Sequence, residues 1–233
     1  MSTKIEWTDD TWNPVTGCTP VSEGCANCYA RRMANRFRGR NGFPADNPFA
    51  VTLHPERLEA PLRWRKPRRV FVCSMGDLFH NQVPMEFLEA VFDIMRRCPQ
   101  HIFQILTKRS ASLSLLDYIL HWAPNIWMGV SVENQNNISR LSNLLGTLSF
   151  VKFISIEPML GPVDLAPWTK YLDWVICGCE SGPGRRPCRI EWIRDLRDQC
   201  VKAGVPFFLK QMDVAGKLVK MPALDGRVWG QTP

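Results

Sequence analysis

Histidine is scarce in this chain, with four residues scattered through 233. A zinc hydrolase, which draws its ligands largely from histidine, is disfavoured on that ground. Long apolar runs are missing as well. None approaches the roughly 18 residues needed to span a bilayer. The opening Met-Ser-Thr-Lys-Ile-Glu-Trp-Thr-Asp-Asp has no apolar core of a secretory signal. The expectation is therefore a cytoplasmic protein with no membrane partner. No internal repeat or low-complexity segment stands out. No Gly-x-Gly-x-x-Gly follows an early strand, and the cluster between Gly178 and Gly184 comes late with the wrong spacing for a dinucleotide fold.

What is present suits a globular domain. Hydrophobic residues make up 45% and charged residues 22%, ordinary values for such a chain, and the length suits one sizeable core. We expect one domain over 1–233. It would comprise a cysteine-bearing loop and basic insertion over 1–69, β/α repeats over 70–211, and a C-terminal tail over 212–233. The net charge is +7, and much of the excess falls in Arg31–Arg40 and Arg63–Arg69. A phosphate-contacting surface and a merely solvated basic face explain these stretches equally well.

The informative residues are cysteines. There are nine, and three of them, Cys18, Cys25 and Cys28, form C-x6-C-x2-C. Clustered cysteines in an intracellular chain more often bind metal than form disulfides. A structural zinc site closes with four ligands and an ordinary cubane takes four thiolates. Here no histidine follows until His54, so three thiolates would leave one corner open for a further ligand. A Cys3His zinc site stays as a minor alternative. The other six cysteines read as small buried hydrophobes, although Cys177 and Cys179 would share one face of a strand.

Six short runs rich in β-branched and aromatic residues read as strands buried on both faces: 70–74, 101–107, 126–132, 151–156, 172–177 and 205–210. A shorter run, 11–16, precedes the cysteines as a further strand. Helical periodicity covers 85–97, 110–122 and 191–202, with 29–37 and a more polar 134–145 in addition. Strand–helix alternation implies an α/β fold with a parallel sheet. Polar residues end strand after strand: Gly76 and Asp77, Lys108 and Arg109, Ser131 and Glu133, Glu157, Glu180, Lys210. Groups of this kind are costly at the ends of buried strands unless they converge. In a partial (β/α) barrel of about six or seven parallel strands they would meet at the mouth.

A three-cysteine loop after the first strand of a β/α barrel resembles the arrangement of the radical S-adenosylmethionine (radical SAM) enzymes. More narrowly, the chain resembles a phage- and prophage-type family of radical-SAM-like proteins. The resemblance rests on Trp12-Asn-Pro-Val-Thr-Gly-Cys18, Gly24-Cys-Ala-Asn-Cys-Tyr29, Ser74-Met-Gly-Asp-Leu-Phe-His80, Gly129-Val-Ser-Val-Glu-Asn134, Ser155-Ile-Glu-Pro158 and Phe207-Phe-Leu-Lys-Gln211. It implies a [4Fe-4S] cluster on Cys18, Cys25 and Cys28, with the fourth iron chelated by SAM. It also implies reductive cleavage of SAM to a 5′-deoxyadenosyl radical that takes hydrogen from a substrate, possible classes being a nucleic-acid base or nucleotide.

By position, Gly76 and Asp77 would meet the SAM amino group, Ser131 and Glu133 its ribose or carboxylate, and Lys108 or Arg109 its carboxylate. Tyr29 would lie against the adenine, and Glu157, Glu180 and Lys210 would face the substrate. Further implied partners are an external one-electron donor of flavodoxin or ferredoxin type and a partner protein. The rival expectation is a non-catalytic nucleic-acid-binding module stapled by zinc or a cluster.

Overall fold

The expected strands assemble into one sheet in a computed structural model that describes residues 3–233. Its strands are β1 (Asp10–Trp12), β4 (Arg69–Val72), β5 (Ile102–Thr107), β6 (Ile126–Ser131), β7 (Val151–Ile156), β8 (Trp174–Gly178), β9 (Phe207–Val214) and β10 (Lys217–Lys220), paired in that order. Every pair from β1 to β9 is parallel, and β10 closes the sheet as an antiparallel hairpin partner of β9. The result is a mixed α/β half-barrel with seven parallel strands, β1 and β4 through β9.

The two faces of the sheet bury different residues. Toward the helices point Val70, Val72, Ile105, Met128, Val130 and Ile154, all fully buried. Helix α2 (Met85–Arg97) buries Leu88, Val91, Phe92 and Met95 against this layer, and α5 (Ile190–Ala203) adds Ile193 and Leu196. Gly204 ends α5 at φ 71°, the left-handed conformation that glycine adopts without a Cβ clash. The concave face carries a separate aromatic cluster of Phe71, Trp127, Phe153, Trp174 and Phe208. Trp7, from the segment before β1, packs there with its ring centroid 4.7 Å from Phe71. Strand β6 is buried at all six positions, as its uninterrupted apolar run requires.

Several boundaries differ from the sequence expectation. The run 11–16 splits, because β2 (Val15–Thr16) leaves the main sheet to pair with β3 (Thr52–Leu53). The helix expected over 110–122 stops early: α3 is Ser110–Leu116, followed by a single tight turn at Asp117–Ile119. The Asp117 carboxylate accepts from Trp122 Nε1 at 2.8 Å and from Leu148 N at 3.2 Å, which fixes the turn. The polar stretch 134–145 likewise divides, with Asn134 capping a turn at Gln135–Asn137 before α4 (Arg140–Leu145). The segment 212–233 is held against the sheet rather than trailing from it. β10 and the small hairpin of β11 (Ala223–Leu224) and β12 (Arg227–Val228) lie within it, and Trp229 O accepts from Leu209 N at 2.8 Å. Among the described residues, no helix is long and apolar enough to cross a membrane.

Candidate functional site

The cysteine loop is clamped at both ends. Before it, Gly17 sits at φ 83°, and a Cβ there would fall 2.0 Å from Ala50 O. No other residue type fits that space. Gly17 N donates to Met75 O at 2.9 Å and Cys18 N to Phe49 O at 3.2 Å, tying the loop to the end of β4 and to the chain before β3. After the loop, Cys28 is the N-cap of α1 (Tyr29–Arg36), and its side chain makes no capping bond. Cys25 lies in a tight turn over Glu23–Cys25. All three thiols are free and half-buried. Burial, reinforced by the Asp77 carboxylate, pushes the Cys18 thiol up to about 11, against the pull of Arg109.

Gly24 has a different role from the one its type suggests. A glycine between two cysteines reads as a turn former, but its backbone is not left-handed. It makes room instead, since a Cβ there would come 2.4 Å from both Cγ and Oε1 of Glu133. Glu133 is fully buried. It accepts from Ser22 Oγ at 2.7 Å and from Arg140 Nη1 at 2.8 Å, with Lys108 Nζ at 3.6 Å. Partners of this kind offset the hydration that a carboxylate loses on burial. The residue expected to meet SAM is thus bonded to the cysteine loop itself.

Asp77 and Arg109 are similarly engaged. Asp77 Oδ1 accepts from Thr107 Oγ1 at 2.7 Å and from Phe79 N at 3.0 Å, joining the ends of β4 and β5. Gly76 forms a parallel bridge with Gly17. Arg109 Nη2 donates to Thr19 Oγ1 at 2.7 Å and to Thr19 O at 3.0 Å, so it grips the residue after Cys18. Its buried Nε has no partner.

A cavity of about 360 Å³ opens beside the loop, within the range of small-molecule sites. Of the sequence candidates, Cys28, Tyr29, Lys108, Ser131, Glu157, Glu180 and Lys210 are among the residues that line it. Gly76, Asp77, Arg109 and Glu133 stand behind and brace the loop. The Tyr29 hydroxyl donates to Ser74 O. Lys210 Nζ bonds Glu157 Oε1 at 2.5 Å, so two of the three residues expected to face the substrate are paired with each other. Glu180 is clasped by Arg186 and accepts from Asn27 Nδ2 at 2.9 Å. Burial pushes its carboxyl up, but these hydrogen bonds prevail and hold it at about 2.

Sequence reasoning missed Glu6, Trp7, Ser155 and Lys220, which line the same cavity. Ser155 stood at a strand end. The N-terminal residues carried no signal at all, because they reach the cavity by crossing the concave face ahead of β1.

The basic stretches divide. Arg32 donates to Ser181 O at 2.9 Å, Arg38 to Ala45 O at 2.7 Å, and Arg68 pairs with Asp10 at 2.7 Å. Arg36, Arg40, Arg63, Arg65 and Lys66 are exposed. The pair Cys177 and Cys179 does share a face, in the layer beneath the helices, where Cys177 Sγ lies 3.7 Å from Met159 Sδ and Cys179 meets Cys188.

Among the described residues, no three His, Cys, Asp or Glu side chains converge to hold a single ion. A mononuclear zinc staple needs that convergence. A cluster spreads three thiolates over three neighbouring irons, so its ligands lie farther apart than those of a single ion. Three free thiols on one clamped loop, with Cys28 at a helix N-terminus that favours negative charge, fit a cluster in donor type and number.

No curated protein and no solved structure matches the chain. A family model matches residues 2–233, nearly its whole length, and the chain belongs to that family, described as "Protein of unknown function (DUF5131)".

Proposed function

We propose that the chain is a radical SAM enzyme built on a partial barrel of that type, of the phage and prophage kind. One observation carries the reading. Three free thiols lie on a clamped loop, and its last cysteine, Cys28, lines a cavity to which the ends of parallel strands bring Lys108, Ser131, Glu157 and Lys210. When bound at Cys18, Cys25 and Cys28, a [4Fe-4S] cluster supplies the electron that cleaves SAM to a 5′-deoxyadenosyl radical.

The chain's own residues prepare that chemistry. Glu133, Asn27 and Arg109 hold the loop from three sides, so the thiols meet their partner without a large ordering cost. Lys108, half-buried beside Glu133, offers an ammonium to a carboxylate in the cavity. The Ser131 hydroxyl offers a hydrogen bond to a ribose, and the Tyr29 ring an apolar face to adenine. The apolar inner cluster below excludes water from the chamber. Electrons would come from an external flavodoxin- or ferredoxin-type donor, and exposed Arg36, Arg40, Arg63 and Arg65 suit a nucleic-acid backbone. The rival, a non-catalytic stapled nucleic-acid module, gives no use to a cavity beside the staple.

Anaerobic reconstitution with iron and sulfide, reduction by dithionite and chromatography for 5′-deoxyadenosine test the proposal. The expected result is about four irons per chain and SAM-dependent 5′-deoxyadenosine. Stoichiometric zinc with no SAM cleavage would sink it.

A further inference from the structure

Six cysteines lie outside the cysteine loop, and two of them face each other. Cys179 directly follows β8, and Cys188 stands two residues before α5. The Cys188 thiol donates to the Cys179 sulfur. The chain between them turns back on itself, because Glu180 Oε2 accepts from Arg186 N at 2.9 Å and from Arg186 Nε at 3.0 Å. That closure returns the chain to Cys188 beside the point where it left at Cys179. Cys179 is itself anchored, its N donating to Gln211 O at 3.1 Å and its carbonyl accepting from Gln211 Nε2 at 2.7 Å.

The pair differs from the other four. Cys73, Cys98, Cys177 and Cys200 are buried, where a thiol serves as a small hydrophobe. Cys188 is half-buried, and it lines with Cys179 a second, open cavity of about 740 Å³. A reagent in solution therefore meets Cys188, while Cys179, 2% exposed, lies behind it. The hydrogen bond from Cys188 draws the Cys179 thiol below its ordinary value, against the effect of burial. A thiolate next to a thiol is the arrangement from which thiol–disulfide exchange proceeds.

We infer that Cys179 and Cys188 are a reversible dithiol–disulfide pair, a redox site separate from Cys18, Cys25 and Cys28. The oxidant is a small-molecule disulfide of the glutathione kind. One protein thiolate attacks it, the small disulfide's S–S bond breaks, and one thiol leaves. The second protein sulfur then displaces the other thiol, and a bond joins Cys179 to Cys188. Two electrons and two protons pass from the pair to the two released thiols. The new bond closes the base of the segment that braces the cysteine loop, through Glu180 to Asn27, through Ser181 O to Arg32 and from Arg186 to Glu23 O at 3.0 Å. Nothing in the inference requires a cluster or SAM.

The reduced chain, incubated with oxidised glutathione, alkylated with iodoacetamide and cut by trypsin, gives the test. Cleavage after Arg185 separates the two cysteines into peptides 171–185 and 186–189. Mass spectrometry without reductant should show these peptides linked, and dithiothreitol should separate them. The link should be lost in Cys179→Ser and in Cys188→Ser, and kept in Cys177→Ser, whose residue shares the first peptide. Cys188→Ser changes a half-buried residue, so it serves even if Cys179→Ser does not fold. Complete alkylation of both residues would overturn the inference, as would a glutathione adduct on Cys188 that never resolves. A link that survives Cys179→Ser would overturn it too, since Cys177 would then be the partner.

Discussion

Asn27, one residue before the last cysteine of the loop, donates its side-chain amide to Glu180 Oε2 at 2.9 Å. Glu180 follows β8, so the far side of the sheet positions the thiols. The same carboxylate is bonded by Arg186 through its backbone N at 2.9 Å and its guanidinium Nε at 3.0 Å. A second tie runs parallel, from Arg32 of α1 to Ser181 O at 2.9 Å.

This clasp makes stability depend on acid pH. The carboxyl of Glu180 falls from its usual 4.5 to about 2 on folding, so the unfolded chain binds the proton more readily. The contribution is complete above the unfolded value and is lost as pH falls from about 4.5 through about 2. Its ceiling is on the order of 3 kcal/mol. In urea unfolding, Glu180→Gln should be less stable than the parent chain at pH 7, by about 2 kcal/mol, and the gap should close near pH 2. A gap that does not change with pH would show that Glu180 acts through shape and not through charge.

Glu133 gives a steric counterpart. Gly24→Ala would bring a Cβ to 2.4 Å from its side chain, and that side chain cannot retreat, because Arg140 and Ser22 hold it. Overpacking of this kind costs about 1–3 kcal/mol, and the strain falls on the loop. Gly24→Ala should therefore lower iron retained after reconstitution by more than half, while far-ultraviolet circular dichroism stays as in the parent chain. Full retention of iron would mean that the loop has room to move outward.

How much of this was legible beforehand depended on distance along the chain. Strands such as β6 were readable because burial on both faces leaves an unbroken apolar run. The ends of α3 and the 134–145 segment were not, because they are fixed by Asp117 with Trp122 and Leu148, and by Asn134 with Glu23 across the fold. The cysteines announced themselves by spacing. Asp77 and Glu133 announced only that a carboxylate ended a strand; their partners Thr107 and Ser22 lie 30 and 111 positions away. That turned two candidate ligand contacts into braces for the loop. That Trp7 Nε1 and Ser155 Oγ are buried without a partner was invisible, since lacking a partner is a property of the folded chain alone.

Of the three thiols, Cys25 contributes least to the fold, since Cys18 and Cys28 pack against Ala30, Ala34, Phe43 and Phe49. Cys25 is half-buried and lies outside the two main packed layers, with Ser22 Oγ 3.9 Å from its sulfur. Cys25→Ala should abolish the brown chromophore of the reconstituted protein while shifting unfolding in urea by less than about 1 kcal/mol. A full cluster in this variant, read by absorbance and iron content, would mean that a different set of cysteines binds it.

The aromatic cluster on the concave face depends on one missing side chain. Gly129 lies in the middle of β6, where glycine weakens a strand, and a Cβ there would meet the Phe153 ring at 2.6 Å. The two residues are register partners of neighbouring strands, and Phe153 packs on Trp174 at a centroid distance of 5.6 Å. The ring is fully buried, so it cannot swing into solvent. Gly129→Ala should destabilise by about 1–3 kcal/mol. Phe153→Leu alone should also destabilise, by leaving space beside Trp174. Together they should be better tolerated than their sum, with a favourable coupling of at least about 1 kcal/mol in a double-mutant cycle. Strict additivity would show that the strand gives way at Gly129 before the ring does, and that the glycine is there for the backbone and not for Phe153.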